Sequence, residues 1–517
     1  MSKHGANRVA AWAVLGLLIA VAADGNGRDV SGAAPAEQDR RRLQRFEKQV
    51  EQIRTLLKIP GMSAVIVRNE EVLWSKGFGF ADVEKRIPAT PETLYHVASL
   101  TKTLAATLVL QLAEQGKLDL DEPVSRYVAD VKGDAVRIKH LLSHTSEGTP
   151  GDRYSYNGNR FDFLTPVLEK KTGRPIRALF VETFLDPLGM AASVPSHDIL
   201  DQAAATTGPL DPAHRDRYRK NLQKLAVPYT LYGTEVIPAQ YPPKDVGAAA
   251  GLLSTVLDMA RFDAAIDRHK YLKQATQDRA WTRFVSNRGE ALPHGLGWFV
   301  QDYQGQKLVW HYGHWGMGFS ATYLKVPAKG LTLILLGNSE ALSDPFYATG
   351  GIETNAFACA FLRLFVLEDL RGRTLPDPDW SRGPSEFASE VDRLGEKAGG
   401  SGYQCTRDTH AAVRKWLDDR RAKARVTIKV DPKTYDAYVG RYELNPQRTF
   451  TATRQGDRLI MDFARGEIAE LFPEAEGKFF TKGWDIQVTF GKDANGKVTH
   501  LDIVVEGGPS RRAKKVP

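Results

Sequence analysis

Hydrophobic and polar positions change rhythm several times along the 517-residue chain, and the changes mark its parts. A helical period runs through about 44–57. It gives way to two-residue alternation in M-S-A-V-I-V-R-N-E-E-V-L-W-S-K-G-F-G, which turns at Asn69-Glu70 and reads as a hairpin of two strands. An apolar helix over 100–116 closes at Gly116. Helical patterns then occupy 137–270. A second strand-rich block at 295–338 holds L-G-W-F-V-Q-D-Y, K-L-V-W-H-Y-G-H, F-S-A-T-Y-L-K-V-P and G-L-T-L-I-L-L-G-N, and a long helix at about 354–370 follows it. Strands at both ends with helices between them predict an α+β unit whose antiparallel sheet is assembled from both ends of one domain. Residues 371–402, with three prolines and many charges, read as a linker, and a helix at about 406–423 leads out of it. From Lys433 on, short alternating segments such as R-L-I-M-D-F and V-T-H-L-D-I-V-V, parted by Gln455-Gly456 and Asn495-Gly496, predict a small all-β barrel or sandwich. The resulting division is a leader at 1–23, a flexible lead-in at 24–44, a main domain at 45–370, a linker with a helix at 371–425 and a β-barrel at 426–517.

Composition changes this picture at the N-terminus. Lys3 and Arg8 precede an apolar stretch from Val9 to Ala23, and Ala20-Val21-Ala22 offers a small-x-small cleavage pattern. This reads as a secretory signal peptide, shorter than a membrane span, so the expectation is an exported protein, periplasmic or extracellular. The leader carries two of the +8 net charges, leaving +6, and four basic residues, Arg511, Arg512, Lys514 and Lys515, crowd the tail. That excess fits a solvated terminus or contact with an anionic cell-envelope surface, and no basic stripe interleaved with aromatics points to nucleic acid. Export permits a disulfide between the only cysteines, Cys359 and Cys405. Cys359, however, lies in the apolar run N-A-F-A-C-A-F-L-R-L-F, which reads as the site of a buried, inert thiol.

The candidate chemistry is in L-Y-H-V-A-S-L-T-K-T-L. Ser99 and Lys102 stand three apart where a helix opens and so share one face. A buried, neutral Lys102 can take the Ser99 proton as the hydroxyl attacks a carbonyl, and the Ser99 N–H supplies one arm of an oxyanion hole. The bare S-x-x-K string is common, so its context carries the reading.

That context bears a family resemblance. I-P-G-M-S-A-V-I-V, S-K-G-F-G-F-A-D-V-E, T-L-Y-H-V-A-S-L-T-K, H-L-L-S-H-T-S, D-P-L-G-M, A-A-G-L-L-S-T and H-G-L-G-W-F occur in the order found in serine β-lactamase and penicillin-binding-protein-like hydrolases. The chain resembles most the branch holding class C β-lactamases, D-stereospecific peptidases and esterases, over about 45–370, and its tail resembles the lipocalin-like barrel some members carry. The resemblance implies an antiparallel sheet flanked by helices, an all-helical subdomain and a cleft between them. It also implies a second element, Tyr-x-Asn, whose tyrosine joins the proton relay. In P-G-D-R-Y-S-Y-N-G-N-R-F-D-F-L that tyrosine is Tyr156, with Tyr154 as rival. Gly158 stands at the Asn position, Asn157 and Asn159 flank it as alternative amides, and Glu147 replaces a usual Gly. The third element is His314-Trp315-Gly316, with the Met317 N–H as second oxyanion donor. His311 is on the opposite strand face, and Asn338 reads as a turn residue or a substrate contact.

The i, i+4 pair His140 and His144 has a helical zinc spacing, but Leu141 stands where a catalytic Glu belongs, and no third ligand is supplied. No metal and no cofactor are implied. The expected partner is a small ester, a D-amino-acid-type amide or peptide, or a β-lactam. The alternative is a penicillin- or peptidoglycan-recognising sensor acylated without turnover.

Overall fold

The computed structural model describes residues 36–200, 212–239, 241, 245–316, 318–347, 351–397, 403–446, 448–463, 468–483, 485–505 and 508–517. The expected leader at 1–23 and the start of the lead-in lie outside these residues. Helix α1, Glu37–Leu56, precedes the hairpin of β1, Gly61–Arg68, and β2, Glu71–Asp82. Asn69 and Glu70 both take positive φ, 49° and 70°, the geometry of a two-residue turn matched to strand twist. The rest of the main sheet comes from β3, Ile87–Pro88, β4, Phe299–Tyr303, β5, Gln306–Trp315, β6, Phe319–Val326, and β7, Leu331–Gly337. The strand order is β3-β2-β1-β7-β6-β5-β4, antiparallel throughout, so the first hairpin is zipped to the last strand of the domain as the pattern predicts.

Alternation along the strands divides the core into two layers. Met62, Ala64 and Ile66 face α1 and helix α5, Ala356–Phe361, whereas Val65 and Val67 face the helical side. That second side contains α2, Thr101–Glu114, α3, Leu164–Thr172, and α4, Val256–Asp267. The helix expected over 354–370 is interrupted by a π-helical turn at Leu362–Leu367.

Two expectations about flexible segments are corrected. Residues 37–44, assigned to the lead-in, belong to α1, because its charges are paired across the fold. Asp39 takes Arg68, Arg42 bonds Asp369, and Arg45, just beyond, meets Glu368 and Asp377. Within the expected linker lies helix α6, Pro384–Lys397, which buries Phe387, Val391 and Leu394 at helical spacing. Helix α7, Gln404–Lys423, is the predicted linker helix. Its first turn is fastened to α5 by a disulfide between Cys359 and Cys405, so Cys359 is not the free thiol its apolar setting suggested.

Beyond α7, eight antiparallel strands between Gly440 and Val516 close into a barrel. Its interior is filled by alternate side chains including Tyr442, Phe450, Met461, Phe479, Val488 and Phe490. The barrel docks on the main domain through Tyr232, whose ring stacks on Phe480 at 5.9 Å and whose hydroxyl accepts the N–H of Arg425, in the segment leading into the barrel, at 2.6 Å.

Candidate active site

Ser99 sits in a single 3₁₀ turn, Ala98–Leu100, that runs straight into α2. Ala98 is held at φ 48°, an uncommon conformation for a residue with a side chain. The turn is clamped from two sides. Val97 donates its N–H to the Leu252 carbonyl at 3.0 Å, and Thr101 Oγ1 donates to the Ala98 carbonyl at 2.7 Å. Strand β5 presses on it at Gly313, where a Cβ would lie 2.4 Å from the Val97 carbonyl oxygen. The close approach that glycine permits is therefore made at Gly313, which the sequence reading passed over, whereas Gly316 lies exposed at the strand end.

One turn on, Lys102 is buried, with its Nζ 2.9 Å from Ser99 Oγ and 2.9 Å from the Ala249 carbonyl oxygen. Its surroundings are apolar, with the rings of Tyr156 and Phe161 at 5.3 and 5.5 Å from Nζ. Burial pulls its pKa down to about 7, against the opposing charge of Asp162. Asp162 also accepts the Ala249 N–H at 3.1 Å and so sets the carbonyl that Lys102 reaches. Neither Ala249 nor Asp162 was singled out from the sequence. The signal was the A-A-G-L-L-S-T segment itself, since a backbone carbonyl has no side-chain signature.

Of the two tyrosines, Tyr156 has its ring beside Lys102, while Tyr154 packs near His294 and Phe299. The segment carrying them is anchored by His144. The His144 carbonyl accepts the Ser155 N–H at 2.8 Å, its Nδ1 accepts the Asn157 N–H at 3.2 Å, and its ring stacks on Tyr156 at 4.3 Å. His140 Nδ1 accepts the Arg137 N–H at 3.1 Å at the start of a short helix. Both histidines of the zinc-like spacing thus serve the backbone. His144, His294 and His311 are buried, and desolvation holds all three below the ordinary histidine range, so these imidazoles near Lys102 are neutral.

Neither flanking asparagine is turned to Lys102. Asn157 Oδ1 accepts the Arg160 N–H at 3.0 Å, and Nδ2 donates to Glu147 at 2.7 Å, so the residue that departs from the usual Gly takes up this amide. Asn159 is exposed. At Gly158 a Cβ would stand 3.8 Å from Lys102 Nζ, which marks the space an Asn side chain would enter.

On β5, His314 is placed between two consecutive residues, with Nδ1 3.2 Å from Ser343 Oγ and Nε2 3.8 Å from Asp344 Oδ1. Trp315 points to the other face, edge-on to His96 at 5.1 Å. Met317 lies outside the described residues. Asn338 is buried and bonds across strands, accepting the Gly61 N–H at 2.7 Å and donating to the Phe80 carbonyl at 3.1 Å. His311 is also buried, with Nδ1 donating to the Tyr312 carbonyl at 2.7 Å.

The family model described as Beta-lactamase matches residues 46–352, which include Ser99, Lys102, Tyr156 and His314. The chain belongs to the Beta-lactamase family. A second family model, described as a domain of unknown function (DUF3471), matches 424–512, the barrel. Among curated relatives, penicillin-binding protein 4* of Bacillus subtilis is 22% identical over 470 residues, covering 82% of this chain and 89% of its own. Among solved structures, the octameric penicillin-binding protein homologue from Pyrococcus abyssi aligns with a TM-score of 0.51 at 21% identity, covering 91% of this chain and 100% of that one. EstCE1, described as a hydrolase with promiscuous acyltransferase activity, aligns with a TM-score of 0.50 at 18% identity, covering 63% and 99%. The fold is that of the β-lactamase and transpeptidase group, with a closed barrel appended.

Proposed function

We propose that this protein is an exported serine hydrolase that forms an acyl-enzyme on Ser99 with small esters or D-amino-acid-type amides. The observation that carries the reading is a buried lysine amine 2.9 Å from a serine hydroxyl at the head of a helix, where burial draws the amine's pKa down to about 7. Neutral Lys102 accepts the hydroxyl proton as Oγ bonds to the substrate carbonyl carbon and the carbonyl π pair moves onto oxygen. The oxyanion is stabilised by the Ser99 N–H and, in this reading, by the Met317 N–H. Collapse breaks the bond to the alcohol or amine, which leaves with the proton held by Lys102, and Tyr156 assists these transfers beside it. Water then repeats the sequence and frees Ser99. Every proton is passed between groups of the chain, substrate and water, with no cofactor called on.

Esters and D-amides lead over β-lactams because the Tyr-x-Asn element lacks its Asn, and Asn157 is engaged with Glu147. Fold kinship alone does not choose among these substrates. Export is supported by the leader pattern and by the Cys359–Cys405 disulfide, a bond that persists in oxidising compartments.

The test is a panel of p-nitrophenyl esters, D-amino-acid anilides and a chromogenic cephalosporin, run on the wild type and Ser99→Ala. Ester or D-anilide turnover should fall by about 10³-fold or more in the variant. Equal rates for the two proteins would remove Ser99 from the mechanism. Acylation without turnover would select the sensor reading.

A further inference from the structure

Helix α7 lies beyond the Beta-lactamase match and ends before the barrel match begins, yet two of its side chains reach Asp344, the neighbour of His314. Trp416 and Arg420, one turn apart on that helix, both donate to Asp344 Oδ2, at 2.6 and 2.7 Å. With that oxygen occupied, Oδ1 faces His314 Nε2 at 3.8 Å, while the other ring nitrogen of His314 meets Ser343 Oγ at 3.2 Å. We propose that Asp344, held by Trp416 and Arg420, is a positioning residue for His314, so that the linker helix is a working part of the active site. This inference rests on the reading of Ser99 and His314 as members of one hydrolytic site.

Three observations support a role beyond docking the helix. First, consecutive residues address the two nitrogens of one imidazole, so a ring flip gives up both contacts. Second, Asp344 stays ionised despite its burial. Burial alone would raise its pKa, but His314, Arg420 and Trp416 outweigh that and hold it below the ordinary aspartate range. Third, His314, Gly316, Asp344, Trp416 and Arg420 line one cavity of about 480 Å³, so the helix forms a wall of the space into which the His314 strand opens. Arg420 is also 3.6 Å from Glu340, a fully buried carboxylate that accepts from Thr230 Oγ1 at 2.9 Å. Removing Arg420 would leave two carboxylates short of a cation, so the decisive variants are gentler. Trp416→Phe deletes one donor and keeps the ring, and Asp344→Asn keeps an acceptor and loses the charge.

The experiment is a double-mutant cycle on kcat/KM with the ester that the wild type turns over best. Asp344→Asn and Trp416→Phe should each lower kcat/KM about tenfold in the wild-type background and less than about twofold where His314 is already alanine. Equal losses in both backgrounds would show a merely structural role and overturn the proposal. A second readout needs no turnover. The His314 ring signals in an imidazole ¹⁵N correlation spectrum, identified by their loss in His314→Ala, should move in Asp344→Asn and in Trp416→Phe. Signals unmoved in both variants would overturn the proposal. A wild type that labels at no serine would defeat the hydrolase reading, while the ring signals would still decide the contact.

Discussion

Replacing Lys102 with methionine is expected to abolish turnover and, at the same time, to make the fold more stable. The amine is buried, and its two hydrogen bonds go to the neutral Ser99 hydroxyl and the Ala249 carbonyl. Burial lowers its pKa from 10.5 to about 7. Between those values the unfolded chain binds the proton more tightly than the folded one, so stability rises with pH across that window. Below about pH 7 the full penalty is present, and at pH 7 it amounts to about 4 kcal/mol. Methionine fills similar volume without a charge to desolvate. It strands the Ala249 carbonyl, at a cost of about 1–3 kcal/mol, so a net gain of about 1–3 kcal/mol remains. Denaturant melts of both proteins at pH 7 and pH 10 check this. The variant should lead at pH 7 and lose its lead at pH 10. A variant less stable at pH 7 would mean the ammonium is well accommodated where it stands, and the case for a neutral base would fail. This is the exchange of stability for activity expected where a catalytic group is buried for its pKa.

Opening the Cys359–Cys405 disulfide should have a comparably large effect of the opposite sign. The bond closes a loop of 46 residues that includes the whole of α6. In the chain-entropy account, closing such a loop restricts the unfolded state by about 4 kcal/mol. A Cys359→Ala, Cys405→Ala double variant should lose about that much by denaturant unfolding, and the wild type should lose as much in reductant. Because the disulfide fixes the first turn of the helix carrying Trp416 and Arg420, kcat/KM should fall at temperatures where the variant is still folded. Unfolding midpoints unchanged by reductant would show that the bond is not formed in the protein.

Much of the fold was legible because local chemistry and long-range packing agreed. The Asn69-Glu70 turn, the apolar α2 closed by Gly116, and the alternating barrel strands each state their structure within a few residues. Legibility failed where partners were remote in sequence. The first turns of α1 looked like a solvated tail because Arg42 and Arg45 meet their carboxylates more than 320 residues away. Helix α6 was obscured by the prolines around it, although its apolar spacing was present. At the site, Ser99, Lys102 and Tyr156 were readable from residue type and order, and the structure places them together. The parts that hold them were not: a carbonyl at Ala249, a missing Cβ at Gly313, the carboxylate of Asp162, and an Asp344 held from a linker helix. Their roles depend on tertiary neighbours, which no short spacing encodes.

Activation of Ser99 by a neutral Lys102 sets both the rate and the site of fluorophosphonate labelling between pH 5 and 9. The reagent's phosphorus should be found on Ser99 by peptide mass spectrometry. The labelling rate should rise with pH through a midpoint of about 7, as Lys102 loses its proton, and should vanish in Lys102→Met. Labelling at another residue, or Ser99 labelling at the same rate throughout the range, would show that Lys102 is not the base that activates Ser99.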